Sequence, residues 1–198
     1  MEQRAIGQSD LTVSSIGLGC NNFGRVLDLA GTRAVLDRAF DLGITLLDTG
    51  DVYGRRGGAE TLMGELLGPR RKQVVIATKF GKPMDTERKT GGASRAYVFQ
   101  AVEASLARLK TDWIDLYQLH EPDPLTSIEE TLAALADLKQ QGKIRHIGCS
   151  TCRPSRSRRR SAPPRRPASP ASSAARTSTA CSTARPSAPS FPRWNATA

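Results

Sequence analysis

The chain has 198 residues, 38% of them hydrophobic, and a formal net charge of +10; with a mean hydropathy of -0.38 it reads as a soluble protein of one domain, occasionally two. No apolar run approaches the roughly 18 residues of a membrane span, the opening Met-Glu-Gln-Arg is too charged for a signal peptide, and Cys20, Cys149, Cys152 and Cys181 make no disulfide framework, so a cytoplasmic location without a membrane partner is expected. Residues 1–150 hold 19 basic and 19 acidic side chains, whereas residues 151–198 hold 10 Arg and no acid, so all of the excess charge lies in the second segment.

Residues 4–14 alternate weakly around Gly7 and Asp10, which suits a short hairpin. A small-residue strand over 15–20 follows, then a helix over 31–42 with Val35, Leu36, Ala39 and Phe40 at helical spacing and Gly43 as its stop. The cycle repeats: strand 44–48, helix 59–67 stopped by Gly68-Pro69, strand 74–80, a polar loop over 81–93, helix 94–109 and strand 114–120. A last helix over 127–141 opens on a capping-box pattern, Ser127 with Glu130 three residues on, and ends at Gly142 before the strand 144–149. Strands alternating with helices of this length predict an α/β fold with parallel strands, either an open doubly wound sheet or a closed barrel, and periodicity alone does not choose.

Three polar residues end three successive apolar strands: Asp48, Lys79 and His120. Parallel strands place all three on one rim, the carboxyl end where sites in such folds are built. Tyr53, five residues past Asp48, is close enough to lean over that rim. A phenol with a pKa near 10 is a poor acid at neutral pH unless a cation stabilises its phenolate. Lys79 is such a cation, Asp48 can hold it charged and oriented, and His120 can donate to an oxygen, so the set would polarise and protonate a carbonyl. Taken singly, each has a plainer reading: a loop acid, a packing tyrosine, a snorkelling lysine and a satisfied core imidazole. Their joint placement, one at each strand end over three consecutive units, is what packing does not require.

The motifs Gly17-Leu-Gly-Cys20-Asn-Asn-Phe23-Gly24, Asp48-Thr-Gly-Asp-Val-Tyr53-Gly54, Ala77-Thr-Lys79-Phe80-Gly81, Tyr117-Gln-Leu-His120 and Ile147-Gly-Cys-Ser150 together resemble the aldo-keto reductases over about residues 4–150. The resemblance implies the N-terminal part of a (β/α)8 barrel, about five of its eight units, with an N-terminal hairpin closing the base. It also implies NADP(H) bound without a Rossmann domain, and reversible reduction of a small carbonyl substrate to an alcohol. On this chain Tyr53 would be the general acid, Lys79 and Asp48 would tune it, and His120 would orient the carbonyl. Gly19, Cys20 and Asn21 on the first βα loop, Asp48, and Ser150 would touch the cofactor.

Residues 151–198 depart from that pattern. A complete barrel of this type takes about 250 residues, and the family's later strands, with the groups that hold the nicotinamide and the 2′-phosphate, are not recognisable here. This segment is Arg, Pro, Ser or Ala at 38 of its 48 positions, with no Leu, Ile, Val, Met or Tyr, so it is expected to be a disordered basic tail. Its bias is what misread GC-rich codons yield. A one-base loss near the codon of Thr151 would account for it, since the shifted frame permits Asn-Glu-Tyr-Ser-Leu-Leu-Asp-Arg across residues 176–184 and Ala-Met-Glu-Arg-Tyr-Gly across residues 192–198. Reductase activity is then expected to be impaired or absent.

The competing reading is a non-catalytic partial barrel acting as a binding or assembly partner, with an arm that binds nucleic acid weakly. Specific nucleic-acid binding is not expected, because Phe191 and Trp194 are the segment's only aromatics. Cys149 and Cys152 have C-x-x-C spacing, but a zinc ribbon needs a second pair and none exists, so no metal is expected. Gly17-Leu-Gly19 lacks the third glycine of a dinucleotide fingerprint. Oligomeric state and substrate identity stay open.

Overall fold

In the computed structural model the described residues are 1–85, 87 and 90–151; the expected tail, apart from Thr151, and Cys152 of the C-x-x-C pair lie outside them. The chain opens with β1 (Gln3–Ala5) and β2 (Thr12–Ser14), paired antiparallel with Gln3 opposite Ser14. There follow β3 (Gly17–Gly19), α1 (Leu29–Asp41), β4 (Leu46–Asp48), α2 (Tyr53–Leu67), a 3-10 turn (Gly68–Gln73) and β5 (Val75–Phe80). The remaining elements are α3 (Arg95–Leu109), β6 (Ile114–Leu119), α4 (Ile128–Gln140) and β7 (Ile144–Cys149). Strands β3 to β7 form one parallel sheet in chain order.

Side-chain alternation sorts the core onto two faces. Leu47, Ile76, Phe80 and Tyr117 point to one side, where they share a cluster with buried residues of all four helices. Leu46, Ala77 and Leu116 point to the other, where they meet Ile6, Leu11 and Val13 of the hairpin. A doubly wound sheet reverses its strand order and carries helices on both faces. Here the order never reverses and the helices keep to one face, which is the winding of a barrel. The hairpin is tied to the base, since Ser14 and Thr45 exchange two hydrogen bonds of 2.8 and 2.9 Å and Asp10 pairs with His146 of β7 at 2.8 Å.

The cap expected at Ser127 forms, with one diversion, and two further caps join it. Asp28, Ser94 and Ser127 accept from Gly31, Tyr97 and Glu130 amides and so begin α1, α3 and α4. Glu130, expected to close a capping box on Ser127, instead accepts the Arg95 amide at 2.9 Å and links the starts of α3 and α4. In α2 residues 54–57 have positive φ, so the chain makes one left-handed turn after Tyr53 before the right-handed helix proceeds. Gly54 is required there: a Cβ would lie 2.3 Å from both the Phe23 carbonyl oxygen and the Ala59 nitrogen. Gly64 allows α2 and α3 to touch, since its Cβ would lie 2.1 Å from the Arg108 carbonyl oxygen. Among the described residues no helix is long and apolar enough to cross a membrane.

Candidate active site

The β4 ladder continues past Asp48, because Thr49 donates to the Ala77 carbonyl at 2.8 Å and Asp51 to the Lys79 carbonyl at 3.1 Å. That extension carries the chain from Asp48 to Tyr53 alongside the end of β5. Lys79 is 5% exposed. Its Nζ donates to Asp48 Oδ1 at 2.7 Å and to the Thr49 carbonyl at 2.8 Å, and stands 3.5 Å from the Tyr53 hydroxyl. It lies 4.9 Å from the centre of the Tyr53 ring. His120 meets that ring edge-on, with centroids 5.7 Å apart and planes at 83°. The three strand-end residues and Tyr53, singled out in the sequence, therefore converge on one spot at the carboxyl rim.

His120 is buried, and burial, followed by the positive charges of Lys82 and Lys79, lowers its pKa from 6.5 to about 4. The imidazole is neutral at neutral pH, able to donate one hydrogen bond but not to act as a cationic acid. Its Nδ1 has no hydrogen-bond partner among the described residues, while its carbonyl accepts from Thr151 Oγ1 at 2.6 Å. Lys82, Thr49 and Thr151 were not legible as contributors, since Thr49 acts through its backbone carbonyl, Thr151 through its hydroxyl on the His120 carbonyl, and Lys82 only through its charge.

The residues assigned to cofactor contact sit around the same rim. Gly19 is exposed and in register with Asp48, and a Cβ on it would meet nothing within 4 Å, so the backbone there faces open space. Asn21 and Ser150 are exposed; the Ser150 amide donates to the Leu119 carbonyl at 2.9 Å, beside His120. Cys20 is different. Its side chain is fully buried and its amide donates to the Asp48 carbonyl at 2.8 Å. Burial, with Asp48 adding to it, pushes its thiol far above the ordinary range, so the sulfur is inert, and its carbonyl accepts from the Phe23 amide at 3.1 Å. Among the described residues no three His, Cys, Asp or Glu side chains gather as a metal site would need.

One acid at the site escaped the sequence reading. Asp51 is 1% exposed and neither of its carboxyl oxygens has a hydrogen-bond partner among the described residues. Burial first, and the neighbouring Glu60 second, raise its pKa from 3.8 to about 7. Glu60 is itself fully buried and accepts from Thr78 Oγ1 at 2.5 Å and Arg108 Nε at 2.8 Å. Three residues after Asp48, Asp51 reads in sequence as another polar loop position.

Comparison with known proteins bears on the family and the fold. The model of the Aldo/keto reductase family matches residues 15–165, running past the charge break at residue 150. An uncharacterized oxidoreductase of Bacillus subtilis, YqkF, is 44% identical over 157 residues, 78% of this chain and 50% of its own length. L-glyceraldehyde 3-phosphate reductase of Escherichia coli K12 is 37% identical over 165 residues, 80% of this chain and 48% of its own. The holo form of the aldo-keto reductase AKR11C1 from Bacillus halodurans superposes with a TM-score of 0.67 at 42% identity, over 75% of this chain and 50% of that one. The chain thus spans about half the length of the relatives it matches. Its parallel strands are part of a (β/α)8 barrel, and the chain belongs to the aldo/keto reductase family.

Proposed function

We propose that this chain carries the proton-transfer half of an NADP(H)-dependent reduction of a small aldehyde or ketone to its alcohol. The observation that carries the reading is the position of Lys79 Nζ, 2.7 Å from the Asp48 carboxylate and 3.5 Å from the Tyr53 hydroxyl. Tyr53 gives its phenolic proton to the carbonyl oxygen, and in the reverse direction its phenolate takes the proton from the alcohol. The Lys79 ammonium stabilises the phenolate and Asp48 keeps the ammonium in place. Neutral His120 donates a hydrogen bond to the same oxygen and holds the carbonyl against Tyr53. The nicotinamide, when bound, supplies the hydride to the carbonyl carbon.

The rim residues fit such a cofactor in part. Gly19, Asn21 and Ser150 present open backbone or exposed polar groups and Asp48 faces the same mouth, whereas Cys20 is fully buried and its carbonyl is taken by the Phe23 amide. The family's later strands would bring the groups for the nicotinamide and the 2′-phosphate, and residues 151–198 have no Lys, so turnover is expected to be feeble. Titrating NADPH into the purified chain and following nicotinamide fluorescence tests this reading. Micromolar binding supports it, and no binding favours a non-catalytic partial barrel that assembles with another chain.

That second reading has its own support in the exposure of the flanking strands: β3 has no buried residue and β7 only Ile144. Small carbonyl compounds are the substrate class in the first reading, and no specific nucleic-acid partner belongs to either. We further read residues 151–198 as the product of a one-base loss near the codon of Thr151. The gene sequence at that codon tests it: an intact frame there overturns it.

A further inference from the structure

The backbone that follows Tyr53 is strained. Gly54, Arg55, Arg56 and Gly57 lie at φ 67, 63, 68 and 106, and for the two arginines the left-handed region is unfavourable because Cβ comes too close to the following carbonyl oxygen. Both arginines are exposed, so no burial of their side chains offsets that cost. A turn of this kind persists only where its surroundings over-determine it.

Those surroundings are the first βα loop, residues 20–28, and α3. A Cβ on Gly54 would lie 2.3 Å from the Phe23 carbonyl oxygen, so turn and loop touch backbone to backbone. They touch again one residue on, since a Cβ on Gly24, itself at φ 69, would lie 3.0 Å from the Gly58 carbonyl carbon. From the other side Arg108 closes on Gly57, where a Cβ would lie 2.7 Å from Arg108 Cδ, and Glu60 at 2.8 Å and Ser105 at 3.2 Å hold the guanidinium. The loop is itself tightly bonded. The Asn22 carbonyl accepts the amides of Arg25, Val26 and Leu27 at 3.2, 2.9 and 3.0 Å, Gly24 donates to the Leu27 carbonyl at 2.9 Å, and the Phe23 side chain is buried in the core. Its exposed end at the rim is Asn21.

We propose that the first βα loop is a positioning element for Tyr53: Phe23 and Gly24 hold the left-handed turn, the turn holds the phenol at Lys79, and a ligand that engages the loop at Asn21 thereby adjusts the proton donor. The Tyr53 hydroxyl stands 3.5 Å from Lys79 Nζ, at the outer limit of a hydrogen bond, so a shift of a few tenths of an ångström decides whether that bond is made. Asn21 is two residues from Phe23, and a loop closed by so many of its own hydrogen bonds passes a displacement on. The consequence for proton donation rests on the reductase reading above; the mechanical link does not.

The test is fluorine NMR of the full chain grown with meta-fluorotyrosine, in which the three signals come from Tyr53, Tyr97 and Tyr117 and that of Tyr53 is identified by its loss in Tyr53→Phe. Gly24→Ala puts a methyl against the Gly58 backbone and should move the Tyr53 signal by more than its linewidth, while the signal of fully buried Tyr117 reports that the fold is kept. Gly43→Ala is the control: at φ 75 it carries the same backbone penalty, but the nearest atom its Cβ would meet is 3.8 Å away, and Tyr53 should stay in place. An unmoved Tyr53 signal in Gly24→Ala, or equal movement in Gly43→Ala, overturns the proposal. Should Gly24→Ala not fold, hydrogen exchange of the unsubstituted chain decides. The Gly24 amide, bonded to Leu27, and the Arg56 amide, bonded to the Val52 carbonyl at 3.1 Å, should open together, and protection that differs by about tenfold or more overturns the link. Absence of NADPH binding with the link intact would remove the reductase reading and leave this one standing. Binding and turnover without the link would do the reverse.

Discussion

The centre of the sheet and its flanks are built differently. Every residue of β6 is buried, as is every residue of β5 except Val75, whereas β3 has none buried and β7 has one. The central strands have parallel neighbours on both sides; β3 and β7 each have one among the described residues. The proposed proton machinery belongs to the centre, with Lys79 on β5, His120 at the end of β6, and Asp48 and Tyr53 on the adjoining β4 segment. The proposed cofactor contacts, Gly19, Asn21 and Ser150, belong to the flanks. Burial at the centre is what lowers His120 and holds Lys79 against Asp48, because a charge or dipole counts for more where water is excluded. The flanks have open backbone and little burial, so their function depends on what covers them.

The sharpest way to break this contrast is at Tyr53. Tyr53→Phe removes the proton donor and keeps the ring, so single-turnover NADPH oxidation with a small aldehyde should fall about 10²- to 10⁴-fold while NADPH fluorescence titration is unchanged. Loss of binding instead would place Tyr53 in the cofactor site. Next comes packing. Phe80 is fully buried and stacks on Tyr117 with centroids 4.7 Å apart, so Phe80→Ala should cost about 3–5 kcal/mol in urea unfolding. Half-buried Ile147 on β7 should cost less than about 2 kcal/mol when cut to alanine. Equal costs would mean that the flank is as well packed as the centre.

Two buried titrating groups at the centre should also oppose each other. The unfolded chain protonates His120 below pH 6.5 and the folded chain only near 4, so this contribution to stability is whole above 6.5 and is lost as the pH falls to 4. For Asp51 the folded value lies above the ordinary 3.8, at about 7, so its contribution is whole below 3.8 and is lost as the pH rises to 7. Relative to wild type, Asp51→Asn should gain about 3 kcal/mol between pH 4 and 7 and His120→Gln should lose about as much. Urea midpoints at four pH values across that window check both signs. The smallest effect is expected at Arg56, exposed and held at φ 68 in the left-handed turn. Arg56→Gly should stabilise by no more than about 1 kcal/mol, read as a shift in the same midpoint.

Much of this architecture is written locally. Val35, Leu36, Ala39 and Phe40 at helical spacing and Gly43 beyond them mark α1 without reference to any other part of the chain, and Ser127 announces the helix it caps. Asp48, Lys79 and His120 are legible as a set because a polar residue at the end of an apolar strand can be seen in a few residues, and parallel strands bring such ends together. Boundaries were less legible. The strand expected from residue 44 begins at Leu46, since Thr45 is taken up by Ser14 of the hairpin.

What the sequence determined by itself is therefore the alternation of strand and helix and the gathering of Asp48, Tyr53, Lys79 and His120 at one rim, because both follow from short-range periodicity. The tertiary structure alone decided that the sheet winds in barrel order with helices on one face, and that Glu130 serves α3 and not its own cap. It also decided that His120 and Asp51 are buried, and that the Asp51 carboxyl has no hydrogen-bond partner among the described residues. Those properties arise from burial and from groups tens of residues away along the chain, and a window of sequence contains neither.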